Sequence, residues 1–191
     1  MKRLAALTMA LAALTAACGS DDDEGAVASD TTSADASDAS FNDADVTFAQ
    51  SMIPHHEQAV EMATLAADRA DSDEVKDLAS RIEAAQDPEI ETMTGWLEDW
   101  DEPVEGGDEM GGNLEMSGMM SDEDMQSLED TEGTEFDRLF LEMMGEHHRG
   151  AIEMAETELG AGEFPDSLEL AQDIVDTQTA EVAEIEELLG A

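Results

Sequence analysis

The sequence predicts an all-α fold, a bundle of four helices made from two copies of one helical hairpin. Three observations carry this. Apolar residues recur at three- and four-residue spacing through four separate stretches. A constant offset of 92 residues relates the first two stretches to the last two. Runs of Val, Ile, Thr and aromatic residues with strand-like alternation are absent.

The offset is read from two adjacent histidine pairs, His55-His56 and His147-His148. It also pairs Asp45 with Asp137, Phe48 with Phe140 and Met52 with Met144. It continues without a gap through Ala59 with Ala151, Met62 with Met154, Leu78 with Leu170, Gln86 with Gln178 and Leu97 with Leu189. A register held over so many positions marks an internal duplication.

The elements follow in chain order. Residues 1–17 carry Lys2 and Arg3 before the short apolar run "LAALTMALAALTAA", which reads as an export signal too short for an ordinary membrane span. Next comes the single cysteine, Cys18, in "LTAACGS". That stretch resembles the lipobox of bacterial lipoproteins, with Leu14 one place early. The resemblance implies cleavage before Cys18 and a lipid on its thiol, hence a membrane anchor on the extracytoplasmic face. Residues 18–40 are dominated by Asp, Ser, Thr and Ala and read as a disordered acidic tether.

The folded domain is expected over 41–191, with copy one at 41–100, a link at 101–133 and copy two at 134–191. In copy one Phe48, Met52, Val60, Met62 and Leu65 form the first stripe, and Pro54 is expected to kink or start a helix there. A second helix begins near Ser72 and carries Val75, Leu78, Ile82, Ile90, Met93 and Leu97, with a bend expected at Pro88. The link is rich in Gly, Met and acid, and Ser121 can cap a short extra helix through Leu128. In copy two Thr134 is the expected cap of a helix to about Leu159. "GAGEFPDS" breaks it, and a last helix runs from Leu168 to Leu189.

The chain of 191 residues holds 50 acidic and 7 basic residues, for a net charge of -43. Such a surface repels nucleic acid and anionic lipid and attracts cations. A solvated acidic surface, in salt that screens its self-repulsion, accounts for the charge without any specific role.

On a helix, Met52, His55, His56 and Met62 fall on one broad side, with Ala59 and Ala63 between them. Met144, His147, His148 and Met154 repeat the layout around Ala151 and Ala155. Imidazole suits copper, zinc, iron and nickel, whereas thioether selects copper(I). The mixed face therefore points to a copper ion, and the lack of domain cysteines weakens zinc. Met110, Met116, Met119, Met120 and Met125 in the link are additional candidate donors. No Glu-x-x-His pair, His-Glu-x-x-His or phosphate loop is present, and no catalytic set can be picked out. The competing account is a non-catalytic structural or interaction lipoprotein, its partner not identifiable, whose His/Met faces are helix-packing seams.

Met52-Ile53-Pro54-His55-His56 with Ala59, Met62 and Ala63 resembles the signature of the DUF305 family. So do Phe136-Asp137, Phe140-Leu141, Met144, His147-His148, Gly150-Ala151 and Met154-Ala155, and the similarity spans about 41–189. Gly145 departs from the pattern and is expected to loosen its helix. The resemblance implies a ferritin-like helical bundle, exported or membrane-tethered and without established enzymatic chemistry. Some members resemble periplasmic copper-binding proteins that protect against copper, with the four histidines and four helix methionines as the residues to carry over.

Overall fold

The computed structural model describes residues 40–104 and 117–190. Cys18, the leader, Met110 and Met116 lie outside them. Among the described residues the regular structure is five helices and no strand: α1 (Asp43–Arg69), α2 (Asp73–Asp99), α3 (Asp122–Glu129), α4 (Thr134–Ala161) and α5 (Pro165–Gly190).

Local chemistry sets each start. Asn42 caps α1 by accepting from the Ala44 and Asp45 amides, while the Asp45 carboxylate accepts from the Asn42 amide. The Ser72 hydroxyl accepts from the Glu74 and Val75 amides at the start of α2. Ser121 and Asp124 form the same reciprocal box for α3. The cap of α4 is not Thr134 but Gly133, one residue earlier, at φ 70° and with no side-chain bond. The Gly133 amide instead donates to the Arg69 carbonyl, closing the last turn of α1. Pro165 opens α5, where a missing N–H costs nothing.

Neither internal proline ends its helix. Pro54 lies inside α1 and Pro88 inside α2. Pro88 and Ala84, the residue whose carbonyl it fails to pair, are both exposed, so water can satisfy that group. Gly145 is buried within α4, which runs through it unbroken.

Helices α1 and α4 pack on each other, and each carries its own hairpin partner, α2 and α5. The two hairpins exchange caps. The Asp137 carboxylate accepts from the Asp71 and Ser72 amides in the α1–α2 loop. Asp45, its counterpart 92 residues earlier, accepts from the Glu163 and Phe164 amides in the α4–α5 loop. Two apolar clusters result. One gathers Met62, Leu78, Ile82, Leu128, Phe136, Phe140 and Met144. The other gathers Phe48, Met52, Met93, Leu97, Ala151, Ala155 and Ile174. The histidines belong to neither.

Candidate metal centre

All four histidines are fully buried, on α1 and α4. Apolar spacing alone would not bury imidazole, since each ring carries two polar nitrogens that need partners. The neighbouring elements supply only some of them. The rings of His55 and His147 lie against each other with centroids 3.7 Å apart and planes tilted by 39°. The small Ala59 and Ala151, each fully buried, stand one turn beyond them and admit the close approach of the two helices.

The outer ring of each pair is held by a carboxylate from its own hairpin. His56 Nε2 lies 2.6 Å from Glu89 Oε2, and His148 Nε2 lies 2.7 Å from Glu181 Oε2. The two carboxylates are themselves well shielded, at 21% and 10% side-chain exposure. Glu89 and Glu181 stand 92 residues apart, so the repeat that relates the histidines relates their supports. His55 Nε2 meets the Ser117 carbonyl at 3.1 Å, on the segment returning from the link.

A neutral ring that donates from Nε2 keeps its lone pair on Nδ1. The Nδ1 atoms of all four histidines are buried without a hydrogen-bond partner, as is Nε2 of His147. Gln86 and Gln178, also related by the repeat, are buried on the helices that carry Glu89 and Glu181, and their amide oxygens lack partners too. So many orphaned acceptors in one fold are costly unless something binds them.

Electrostatics keep the central pair neutral. Burial pushes His55 down to about 3, helped by the nearby His56 and His148 and opposed by the Ser117 carbonyl. Burial likewise drives His147 well below its ordinary value, reinforced by His55, His148 and His56. Uncharged imidazoles with free lone pairs are metal donors; charged ones are not.

The methionines divide about this layer. Met52 is fully buried in one apolar cluster, against which the half-buried Met154 packs. Met62 and Met144 are fully buried in the other. Each cluster thus receives one candidate methionine from α1 and one from α4. Met120 and Met125 pack at the edge of the second of these clusters, and Met119 is half-buried. Among the described residues no three His, Cys, Asp or Glu side chains converge to hold a metal ion. The imidazoles come as a stacked pair, His55 and His147, with His56 and His148 each held on a carboxylate.

A family model described as Domain of unknown function (DUF305) matches residues 45–189, which contain every helix residue just named. The chain belongs to the DUF305 family. Among solved DUF305 structures, one from Streptomyces coelicolor, described as a secreted protein, is 35% identical, covers 77% of this chain and 92% of its own, and superposes with a TM-score of 0.72. A DUF305 fragment from Deinococcus radiodurans is 30% identical over 78% of this chain and 97% of its own, at 0.68. CopM in its Cu(II)-bound form is 31% identical over 76% of this chain and 95% of its own, at 0.66. CopM has also been solved in Cu(I)-bound, Ag-bound and apo forms. No functionally curated protein matches the chain.

Proposed function

We propose that this DUF305 protein binds copper outside the cytoplasm, sequestering it as copper(I) in the buried histidine layer. The observation that carries the reading is the set of four buried imidazoles with unpartnered Nδ1 atoms, two of them steered by Glu89 and Glu181. Carboxylate-oriented histidine is the usual outer support of a metal ligand, fixing tautomer and raising basicity. His55, His56, His147 and His148 are the principal ligands. Met52, Met62, Met144 and Met154, on the same two helices, are the thioether donors that would favour copper(I) over harder ions. The four long helices are read as one ferritin-like bundle of two duplicated hairpins that brings these faces together.

The placement outside the cytoplasm rests on the leader and on Cys18 as a lipid attachment point. Among the described residues no helix is long and apolar enough to cross a membrane. The Streptomyces relative described as secreted agrees. Cys18→Ser should shift the protein from the membrane to the soluble fraction; retention in the membrane would remove the lipid anchor from the account.

A structural reading competes because the His55–His147 stack is also a close-packed helix crossing. Copper(I) competition against a strong chelator, anaerobic and reducing, separates the two. Changing the four histidines to Gln should abolish tight uptake if they are ligands. A pure seam would lose stability while wild type and variant took up the same weak amount. Changing Met52, Met62, Met144 and Met154 to Leu keeps most of the volume and tests the thioethers alone.

A further inference from the structure

The 92-residue repeat relates two places on the α1–α4 pair that the rest of the chain uses differently. At one of them the short helix α3 packs on both α1 and α4. It lays Leu128, fully buried, into the cluster of Met62, Phe136, Phe140 and Met143, against which Leu65 and Leu139 also pack. An offset of 92 carries these six positions to Met154, Ala44, Phe48, Ser51, Thr157 and Thr47. All six line one surface opening of about 440 Å³, walled by α1 and α4 alone. The fold therefore holds two equivalent seats, and α3 sits on one.

The substitutions between the copies explain the hollow. Phe48 and Met154 keep the residue type of their counterparts, so the floor stays apolar. At the other four positions phenylalanine, two leucines and methionine give way to Ala44, Thr47, Thr157 and Ser51. The walls thus lose side-chain volume while the floor does not. That leaves a space which a bulky apolar group from outside can fill.

The filled seat shows what shape fits, a short helix that delivers one leucine to the floor. The stretch ahead of α1 carries no such anchor, having Ala36 and Ser33 where the stretch ahead of α4 has Leu128 and Met125. Charge narrows the occupant further. Asp43 and Glu158 line the opening and no basic residue does, on a chain of net charge -43. Helix α3 is itself acidic, but it is joined to the chain, and its high effective concentration offsets the repulsion. A free partner lacks that help and gains from opposite charge. A second copy of this chain brings the same excess of acid and is repelled.

We infer that the groove between Phe48 and Met154 docks a short amphipathic helix of another protein, one that inserts a leucine-sized or larger apolar side chain and carries basic residues beside it. The inference stands apart from the copper reading, since it uses none of the histidines.

The test uses the full chain and a labelled synthetic 14-residue helix of Leu and Lys, with its leucines at three- and four-residue spacing. A control peptide has the same composition with the leucines alternating, so it keeps the charge and lacks the apolar helical face. Fluorescence anisotropy at about 0.15 M salt should show the helix binding one per chain and about 10-fold or more tighter than the control. Ser51→Phe fills the hollow without changing charge and should remove about 10-fold of that affinity, the worth of one buried leucine-sized side chain. Thr47→Phe, at an exposed wall position, should act alike and serves if the first variant does not melt cooperatively. Asp43→Asn should weaken binding slightly and flatten its salt dependence. Equal binding of both peptides, or wild-type affinity in both filled variants, would overturn the proposal by leaving only the general field of the acidic surface. A wild-type dimer in sedimentation that Ser51→Phe turns to monomer would assign the groove to a second copy instead. Helix binding that appears only when residues 105–116 are replaced by a Gly/Ser run of equal length would assign it to the chain's own link. Either result would overturn the partner.

Discussion

Gly150→Ala tests the seating of the segment Ser117–Met120, a strap held by Ser117 on His55 and Glu153 and by Met120 on Gln58, against α4. A Cβ at Gly150 would lie 1.8 Å from the Ser117 carbonyl oxygen, 2.4 Å from its carbon and 2.9 Å from the Gly118 Cα. All three are backbone atoms, so no side chain can swing aside. Gly118, at φ 82°, sits so close to α4 that a Cβ there would lie 2.7 Å from the Glu146 carbonyl oxygen, which leaves the strap little room to adjust. It must lift by more than about 1 Å to restore ordinary contact. Lifting breaks the His55–Ser117 hydrogen bond and strains both bonds between Gln58 and Met120. The broken bond with its stranded buried donor costs about 2 kcal/mol and the two strained bonds about 1 kcal/mol together, a loss of about 3 kcal/mol. Glycine to alanine inside a helix returns about 1 kcal/mol. The net expectation is a destabilisation of about 2 kcal/mol by urea titration. Gly95→Ala, inside α2 with nothing within 4 Å of the new atom, should show the propensity gain alone. If Gly150→Ala stabilises as Gly95→Ala does, the strap is not where the hydrogen bonds put it.

Other outcomes follow from the titrating groups and the outer supports. His55 titrates near 3 when folded and near 6.5 when free, so its burial costs stability as pH falls below 6.5, and the cost grows until about 3. Relative to His55→Gln, wild type should lose about 1 kcal/mol per pH unit across that window; denaturant midpoints that shift in parallel would refute this. Glu158 behaves oppositely. Burial raises it to about 7, with Asp45 adding to the rise and the Ser167 hydroxyl opposing it, so protonation stabilises the fold as pH falls from 7 towards 4.5. Glu158→Gln should therefore lose ground to wild type on acidification, read from the same titrations. Glu89→Ala and Glu181→Ala should each weaken copper(I) binding by about 10-fold or more in a chelator competition, as loss of a ligand's outer partner typically does. Unchanged affinity would reduce the carboxylates to ordinary caps for buried rings.

Much of this architecture was legible because helical periodicity and an exact repeat are both one-dimensional signals. Phe48, Leu78, Ile82 and Leu97 lie on the stripes and are core residues, α2 starts at Ser72 where a helix was expected to begin, and Ser121 caps its short helix as expected. Pro54 does not start a helix, since α1 begins at Asp43 and runs through it, and Pro88 lies inside α2 as its place in that stripe implied. The Gly133 cap was missed because its amide closes the end of α1, a contact distant in sequence. The histidines stood out by pairing and duplication. Glu89 and Glu181 did not, since they were two among 50 acidic residues. The 92-residue offset pairs them, but it pairs other acids too, Asp45 with Asp137 and Glu61 with Glu153 among them, so only the fold shows which carboxylates hold the rings.

The central claim is that buried imidazole nitrogen, not surface carboxylate, holds the metal. The most direct measurement is an anomalous difference map from crystals of the full chain exposed to silver(I). A peak is expected in the histidine layer between α1 and α4, within bonding distance of Nδ1 atoms of His55, His56, His147 or His148. A map with silver only at surface carboxylates, and none in that layer, would contradict it.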